Sequence, residues 1–283
     1  MSPTAVSSRP STLPARALGL LTALAVVLGI AVFLAPPLLA SIGSTSYANE
    51  SAIRDAFTNA FVDYWAAGQR DYTPALDQTI DYWMRFHLAK AAIALVLLAV
   101  LVTLSVLLWK AFLRSGNLSA TRRSTLASTG AVTVLLALFA LLLVIANIQG
   151  TFAPFSSLLS MLPMNTADPE LARTLTQINQ QLADSQGAPA HTPPLDVMIT
   201  DFARYHAILA VVAATVAIAL IGTTILFWRR FTRSSDGRTR RVLASFGTLS
   251  TLLSLTVVVL AAVNASTAAH SAPALAGFFA GGW

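Results

Sequence analysis

Two short stretches carry the side chains with the most chemical potential: Thr73 to His87, TPALDQTIDYWMRFH, and Thr192 to His206, TPPLDVMITDFARYH. They align without gaps on T-P-x-L-D-x-x-I-x-x-x-x-R-[FY]-H. Each supplies an acid near its start (Asp77, Asp196) and an arginine two positions before a closing histidine (Arg85 with His87, Arg204 with His206). Two imidazoles brought together could hold a haem or a metal ion, and two Arg/His pairs could bind an anionic lipid head group or a small anion. The plainer reading is anchoring where a helix enters a membrane, with Asp81 and Arg85 as an i,i+4 pair and Asp201 and Arg204 as an i,i+3 pair. A stable metal site wants three or four ligands, and His191 and His270 are the only other histidines. The six residues Asp77, Arg85, His87, Asp196, Arg204 and His206 are therefore taken as a binding motif, with no catalytic residue and no cofactor expected.

The local signals place this motif on helices. Thr73 and Thr192 read as N-caps, Pro74 and Pro193 as first-turn prolines, and Asp77 and Asp196 as acids at the positive helix end. From Pro74 to His87 the helix rises about 20 Å. Leu76, Ile80, Trp83 and His87 fall on one stripe, as do Leu195, Ile199, Phe202 and His206, which makes each stripe a packing seam. If the two seams met, His87 and His206 would approach one another, with Arg85 and Arg204 beside them.

Those helices must continue into a bilayer. The 283 residues are 55% hydrophobic and only 11% charged, against about 25% charged in soluble proteins. Five runs reach the roughly 20 apolar residues that a hydrocarbon core demands: Ala17 to Ala35, Leu88 to Leu108, Leu126 to Ile148, Ala207 to Phe227 and Val242 to Val263. Lys90, in the first turn of the second run, can snorkel to the surface. The expected fold is an all-α integral membrane bundle of five spans.

Loop charge orients it. Arg9, Arg16, Lys110, Arg114, Arg122, Arg123, Arg229, Arg230, Arg233, Arg238, Arg240 and Arg241 fall on one side with a single acid, Asp236. The other side holds six basic residues and eleven acids. The reading is a multi-pass plasma-membrane protein with its N-terminus cytoplasmic and its C-terminus outside. Trp109 and Trp228, each followed by a basic residue, mark the inner interface. The basic surplus is thus topogenic rather than nucleic-acid binding, and the absence of cysteine removes thiolate chemistry. The first run also resembles a signal peptide, but its length and Leu38 near a candidate cleavage point at Ala40 favour a retained anchor.

The paired motif belongs to a longer internal repeat. The same offset carries Trp109 onto Trp228, Phe112 onto Phe231, Arg114 onto Arg233 and Ser115 onto Ser234. After a short loop difference, LASTG at Leu126 to Gly130 matches LASFG at Leu243 to Gly247, and Asn147 matches Asn264. Ala153-Pro154 matches Ala272-Pro273, while Arg54 pairs with Arg173 and Gly68 with Gly187 more weakly. The chain divides into residues 1–40 (N-terminus and first span), 41–163 (first unit) and 164–283 (second unit). Both units keep one orientation, as parallel transporter repeats do.

Other features read as structural. Asn49 to Gly68 places Ile53, Phe57, Phe61, Tyr64 and Trp65 on one face of an outer helix, expected to pack on the protein's own outer bundle. Its counterpart near Pro169 to Ala183 is polar. Asn147 and Asn264 suit interhelical hydrogen bonds, and Gly19, Gly29, Gly130 and Gly247 suit close helix packing. Asn49-Glu-Ser is a formal sequon. No P-loop, G-x-S-x-G, H-E-x-x-H or dinucleotide fingerprint is present.

The R-[FY]-H helix entry, the L-A-S-x-G helix and the ending APALAGFFAGGW resemble actinobacterial multi-pass membrane proteins of no assigned activity. That resemblance implies a bacterial plasma-membrane location and transfers no site. The function expected is a non-catalytic envelope-side binding, assembly or accessory subunit whose partners are the bilayer and an anionic lipid or a membrane protein. Its oligomeric state is not set by the sequence. The alternatives are a small-solute transporter or channel, for which Thr103, Ser105, Thr215, Thr223 and Thr224 would need to line one cavity, and a redox protein using His87 and His206.

Overall fold

The computed structural model describes residues 15–114, 119–184 and 191–281, so that Arg9, Ser115, Gly187 and the closing Gly282 and Trp283 lie outside the described residues. All regular structure among the described residues is helical: α1 (Ala15–Ala40), α2 (Glu50–Ala67), α3 (Pro74–Arg114), α4 (Ala120–Phe152), α5 (Pro154–Leu159), α6 (Pro169–Asp184), α7 (Pro193–Arg233), α8 (Gly237–Ala269) and α9 (Ser271–Phe279). Helices α1, α3, α4, α7 and α8 are long and apolar enough to cross a membrane, and each contains one of the five predicted runs. The chain is an all-α, multi-pass membrane protein.

Helices α3 and α7 are 41 residues each, or about 62 Å at 1.5 Å per residue. That is about twice a hydrocarbon core of roughly 30 Å, so their N-terminal parts stand clear of the bilayer as the first-turn prolines suggested. The expected threonine caps hold only through the backbone. The Thr73 and Thr192 carbonyls accept the amides of Asp77 and Asp196 at 2.9 and 3.0 Å. The Thr192 hydroxyl instead donates to Gln181 Oε1 at 2.6 Å, and Thr73 Oγ1 is buried without a partner.

At membrane level α3 packs along α4 and α7 along α8, giving two hairpins that meet through α4 and α7, while α1 lies against α3. Large apolar side chains such as Leu135, Ile218 and Val259 stay exposed, because lipid tails are as apolar as leucine and give these helices no reason to hide them. Helix α1 runs through Pro36 and Pro37 to Ala40, past its expected end at Ala35, and Ala40 is fully buried in the next layer.

That layer is a cap made of α2, α5, α6, α9 and the projecting ends of α3 and α7. Its core joins Phe57, Phe61 and Tyr64 of α2, Leu76 and Trp83 of α3, Phe155 of α5, Leu171 and Ile178 of α6, Leu195 and Phe202 of α7, and Phe278 of α9. The predicted aromatic face of α2 is thus buried against the protein itself. Asn49 caps α2, its Oδ1 accepting Ala52 N–H at 3.0 Å, and Gly68 ends it at φ 66, where a Cβ would be strained. Helix α6 is polar in composition, as its sequence indicates, and its Leu171, Leu175, Ile178 and Leu182 share one buried face, so it packs as an amphipathic helix.

Candidate functional site

The histidines of the paired motif meet asparagines, each within its own hairpin. His87 Nδ1 lies 2.8 Å from Asn147 Oδ1, and His206 Nδ1 lies 2.8 Å from Asn264 Oδ1. The asparagines fix the roles. Asn147 Nδ2 donates to the Leu143 carbonyl at 2.7 Å and Asn264 Nδ2 to the Leu260 carbonyl at 2.9 Å. Each Oδ1 faces the imidazole and can only accept, so each Nδ1 carries the proton. Both Nε2 atoms are buried without a partner. The interhelical role expected of the asparagines is therefore filled by the histidines of the motif, a pairing the sequence offered no means to see.

The opposite end of each hairpin is closed by tryptophan on glycine. A Cβ on Gly130 would stand 3.0 Å from the Trp109 indole, and one on Gly247 would stand 3.1 Å from that of Trp228. The expected glycine role holds at these two positions and fails at Gly19 and Gly29, where a Cβ would meet nothing within 4 Å. The clamps differ at Gly150, on which His87 rests, where a Cβ would fall 2.6 Å from the ring, and at the indoles, since Trp228 Nε1 donates to Thr251 Oγ1 at 3.4 Å whereas Trp109 Nε1 is buried without a partner.

The remaining motif residues are spread over the cap. Arg85 donates to Asp81 at 2.8 Å and to the Ile42 carbonyl at 3.2 Å, strapping the end of α1 to α3. Arg204 lies 3.5 Å from Asp201. Both expected intrahelical pairs are present. Asp196 instead pairs with Arg70 at 2.6 Å, joining the α2–α3 turn to α7. Asp77 stands in the first turn of α3.

Helix α5, absent from the sequence reading, bridges the two projecting helix ends. Trp83 Nε1 donates to Ser157 Oγ at 3.1 Å, and the buried Asp201 accepts the Ser156 amide at 2.9 Å. This carboxylate substitutes for the side-chain cap that α5 lacks. The seam residues Leu76, Ile80, Trp83, Leu195 and Phe202 do share one core, while each imidazole beneath them is bound to the asparagine of its own hairpin.

Nearby tyrosines do structural work. Burial pushes the Tyr64 phenol up to about 12, so it stays a neutral donor to the Arg70 carbonyl at 3.3 Å. Burial raises Tyr72 as well, with the Asp201 charge adding to it. Among the described residues no three His, Asp or Glu side chains cluster to hold a metal. On the cap surface a cleft of about 830 Å³ opens between α2 and α6, lined by Asp63, Trp65, Glu170, Arg173, Gln177 and Gln180 among others.

Comparison of the chain with protein-family models, with curated proteins and with solved structures finds no match.

Proposed function

We propose that this chain is a non-catalytic accessory or assembly subunit of a bacterial plasma membrane, built from a duplicated hairpin with its N-terminus in the cytoplasm and its cap outside. The observation that carries this reading is that each motif imidazole is held through Nδ1 by an asparagine of its own hairpin, while a polar cleft between α2 and α6 opens on the cap surface. Asp63, Glu170, Arg173 and the glutamines there suit a polar protein segment.

A transport path finds less support. Thr103 donates to the Ala99 carbonyl and Thr215 to the Val211 carbonyl of their own helices, while Thr223 and Thr224 meet Ser250 inside the second hairpin. None of these, nor Ser105, lines the membrane-level cavity between α1, α3 and α4.

The test is purification of the full chain in native lipid, with crosslinking and mass spectrometry. A stoichiometric protein partner that is lost in Arg173→Glu supports the reading; a chain that purifies alone and passes solute in proteoliposomes overturns it. Because the chain has no cysteine, single cysteines at Gln177 and Arg238 report orientation with an impermeant maleimide. Gln177 should label on intact cells and Arg238 only after permeabilisation.

A further inference from the structure

Below the cap, α1, α3 and α4 enclose a cavity of about 390 Å³ whose walls include Gly29, Val32 and Phe33 of α1, Leu101 of α3, and Phe139 and Leu143 of α4. Its lining on α4 runs from Thr129 to Leu143, about 21 Å of helix, so it is long and narrow along the membrane normal. Gly29 deepens it, since a Cβ there would meet nothing within 4 Å.

A cation stands over its cap-side end. Lys90 precedes Leu97, the first α3 residue of the wall, by about 10 Å of helix. Its Nζ sits 5.7 Å from the Phe33 ring and 5.3 Å from the Phe86 ring. Phe33 is therefore both a wall of the cavity and the floor beneath the ammonium. Aromatic faces hold a cation without neutralising it, and no ion pair engages Lys90 among the described residues. The acid whose charge reaches Lys90 is Glu50 at the start of α2, without forming a salt bridge, and a positive charge so placed at head-group depth above an apolar slot complements an amphiphile with an anionic head. At the matching position of α7 stands Leu209, so the second hairpin offers no such charge.

We propose that the α1–α3–α4 cleft binds one anionic phospholipid, its phosphodiester held by the Lys90 ammonium and one acyl chain descending past Phe33 into the cavity.

The experiment reconstitutes the full chain in equal parts phosphatidylglycerol and phosphatidylcholine with identical acyl chains. The protein is re-extracted in mild detergent and retained lipid is counted by native mass spectrometry. The expected result is about fivefold enrichment of phosphatidylglycerol, from one basic residue at head-group level. Lys90→Leu, which installs the residue of the second hairpin, should abolish the enrichment, and Lys90→Arg should keep it. Gly29→Leu, whose side chain enters open space, should lower retention of both lipids with the helical spectrum and melting unchanged. Equal enrichment in Lys90→Leu and the parent would assign the preference to the arginine-rich loops and overturn the site. Unchanged retention in Gly29→Leu would overturn the seating of the chain in the cavity.

Discussion

At membrane level the two hairpins are built alike, whereas in the cap their continuations differ. Each hairpin has helices of 41 and 33 residues, a His–Asn contact of 2.8 Å at one end and tryptophan on glycine at the other. In the cap, α2 contributes aromatic rings and α6 aliphatic side chains, and α5 has 6 residues against 9 for α9. The difference follows from what each region must do. A hairpin in lipid gains little from apolar burial, so a few small residues and hydrogen bonds set its register, and the same few serve both hairpins. The cap faces water and must bury apolar area, and its two halves bury it against each other, so they have to be complementary rather than identical.

The sharpest way to break the likeness of the hairpins is at Gly150, because the second hairpin tolerates a Thr at the matching position, Thr267. In Gly150→Leu the new Cβ would sit 2.6 Å from the His87 ring, and the ring could withdraw only by giving up Asn147. Overpacking of this kind costs about 1–3 kcal/mol, and the upper end applies here because a hydrogen bond is lost as well. Thermal unfolding in detergent should show a lowered midpoint for Gly150→Leu and little change for Thr267→Leu, whose side chain already carries a Cβ. Equal effects at the two positions would show that the His87 contact is not the distinguishing feature.

In the cap the test is Asp201. Its carboxylate is the acceptor for the buried Ser156 amide, so Asp201→Ala leaves that donor unpaired at about 1–2 kcal/mol. Asp201→Asn retains a carbonyl oxygen and should recover most of the loss. The measurement is limited proteolysis near α5, with faster cleavage in Asp201→Ala and a near-parent rate in Asp201→Asn. A loss shared equally by both variants would point to the carboxylate charge instead of the cap.

Removing Asn147 or Asn264 sharpens the comparison on a smaller scale. Interhelical hydrogen bonds in membranes average about 0.6 kcal/mol, and the two contacts have the same length. Asn147→Ala and Asn264→Ala should therefore lower the melting midpoint by similar small amounts. A large difference between them would mean that the two hairpins are stabilised in different ways despite their shared residues.

The parts of this arrangement legible in the sequence are those that rest on local period and composition. The five spans, the helices projecting beyond them, the inward face of α2 and the i,i+4 and i,i+3 ion pairs all follow from spacing within one helix. The seam stripes were legible as faces, but what they would meet was not: α5 enters between them from a six-residue helix too short to announce itself by periodicity. The His–Asn contacts span 60 and 58 residues, and their register is set by the whole packing of the hairpin. Helix α6 is polar on average, and that average hides an apolar face that only the 3.6-residue period reveals.

The smallest expected effect concerns the ion pair that ties one half of the cap to the other. Arg70 and Asp196 meet at 2.6 Å, but their side chains are 64% and 41% exposed, so water and salt screen most of the attraction. A double-mutant cycle with Arg70→Ala and Asp196→Ala should give a coupling of about 0.2–1 kcal/mol that shrinks as salt is raised. A small, salt-sensitive coupling would place the union of the two halves in the shared apolar core, where Leu76 and Leu195 are 0% and 1% exposed. A large coupling that salt leaves untouched would instead make this contact a true joint of the cap, since only a desolvated pair resists screening.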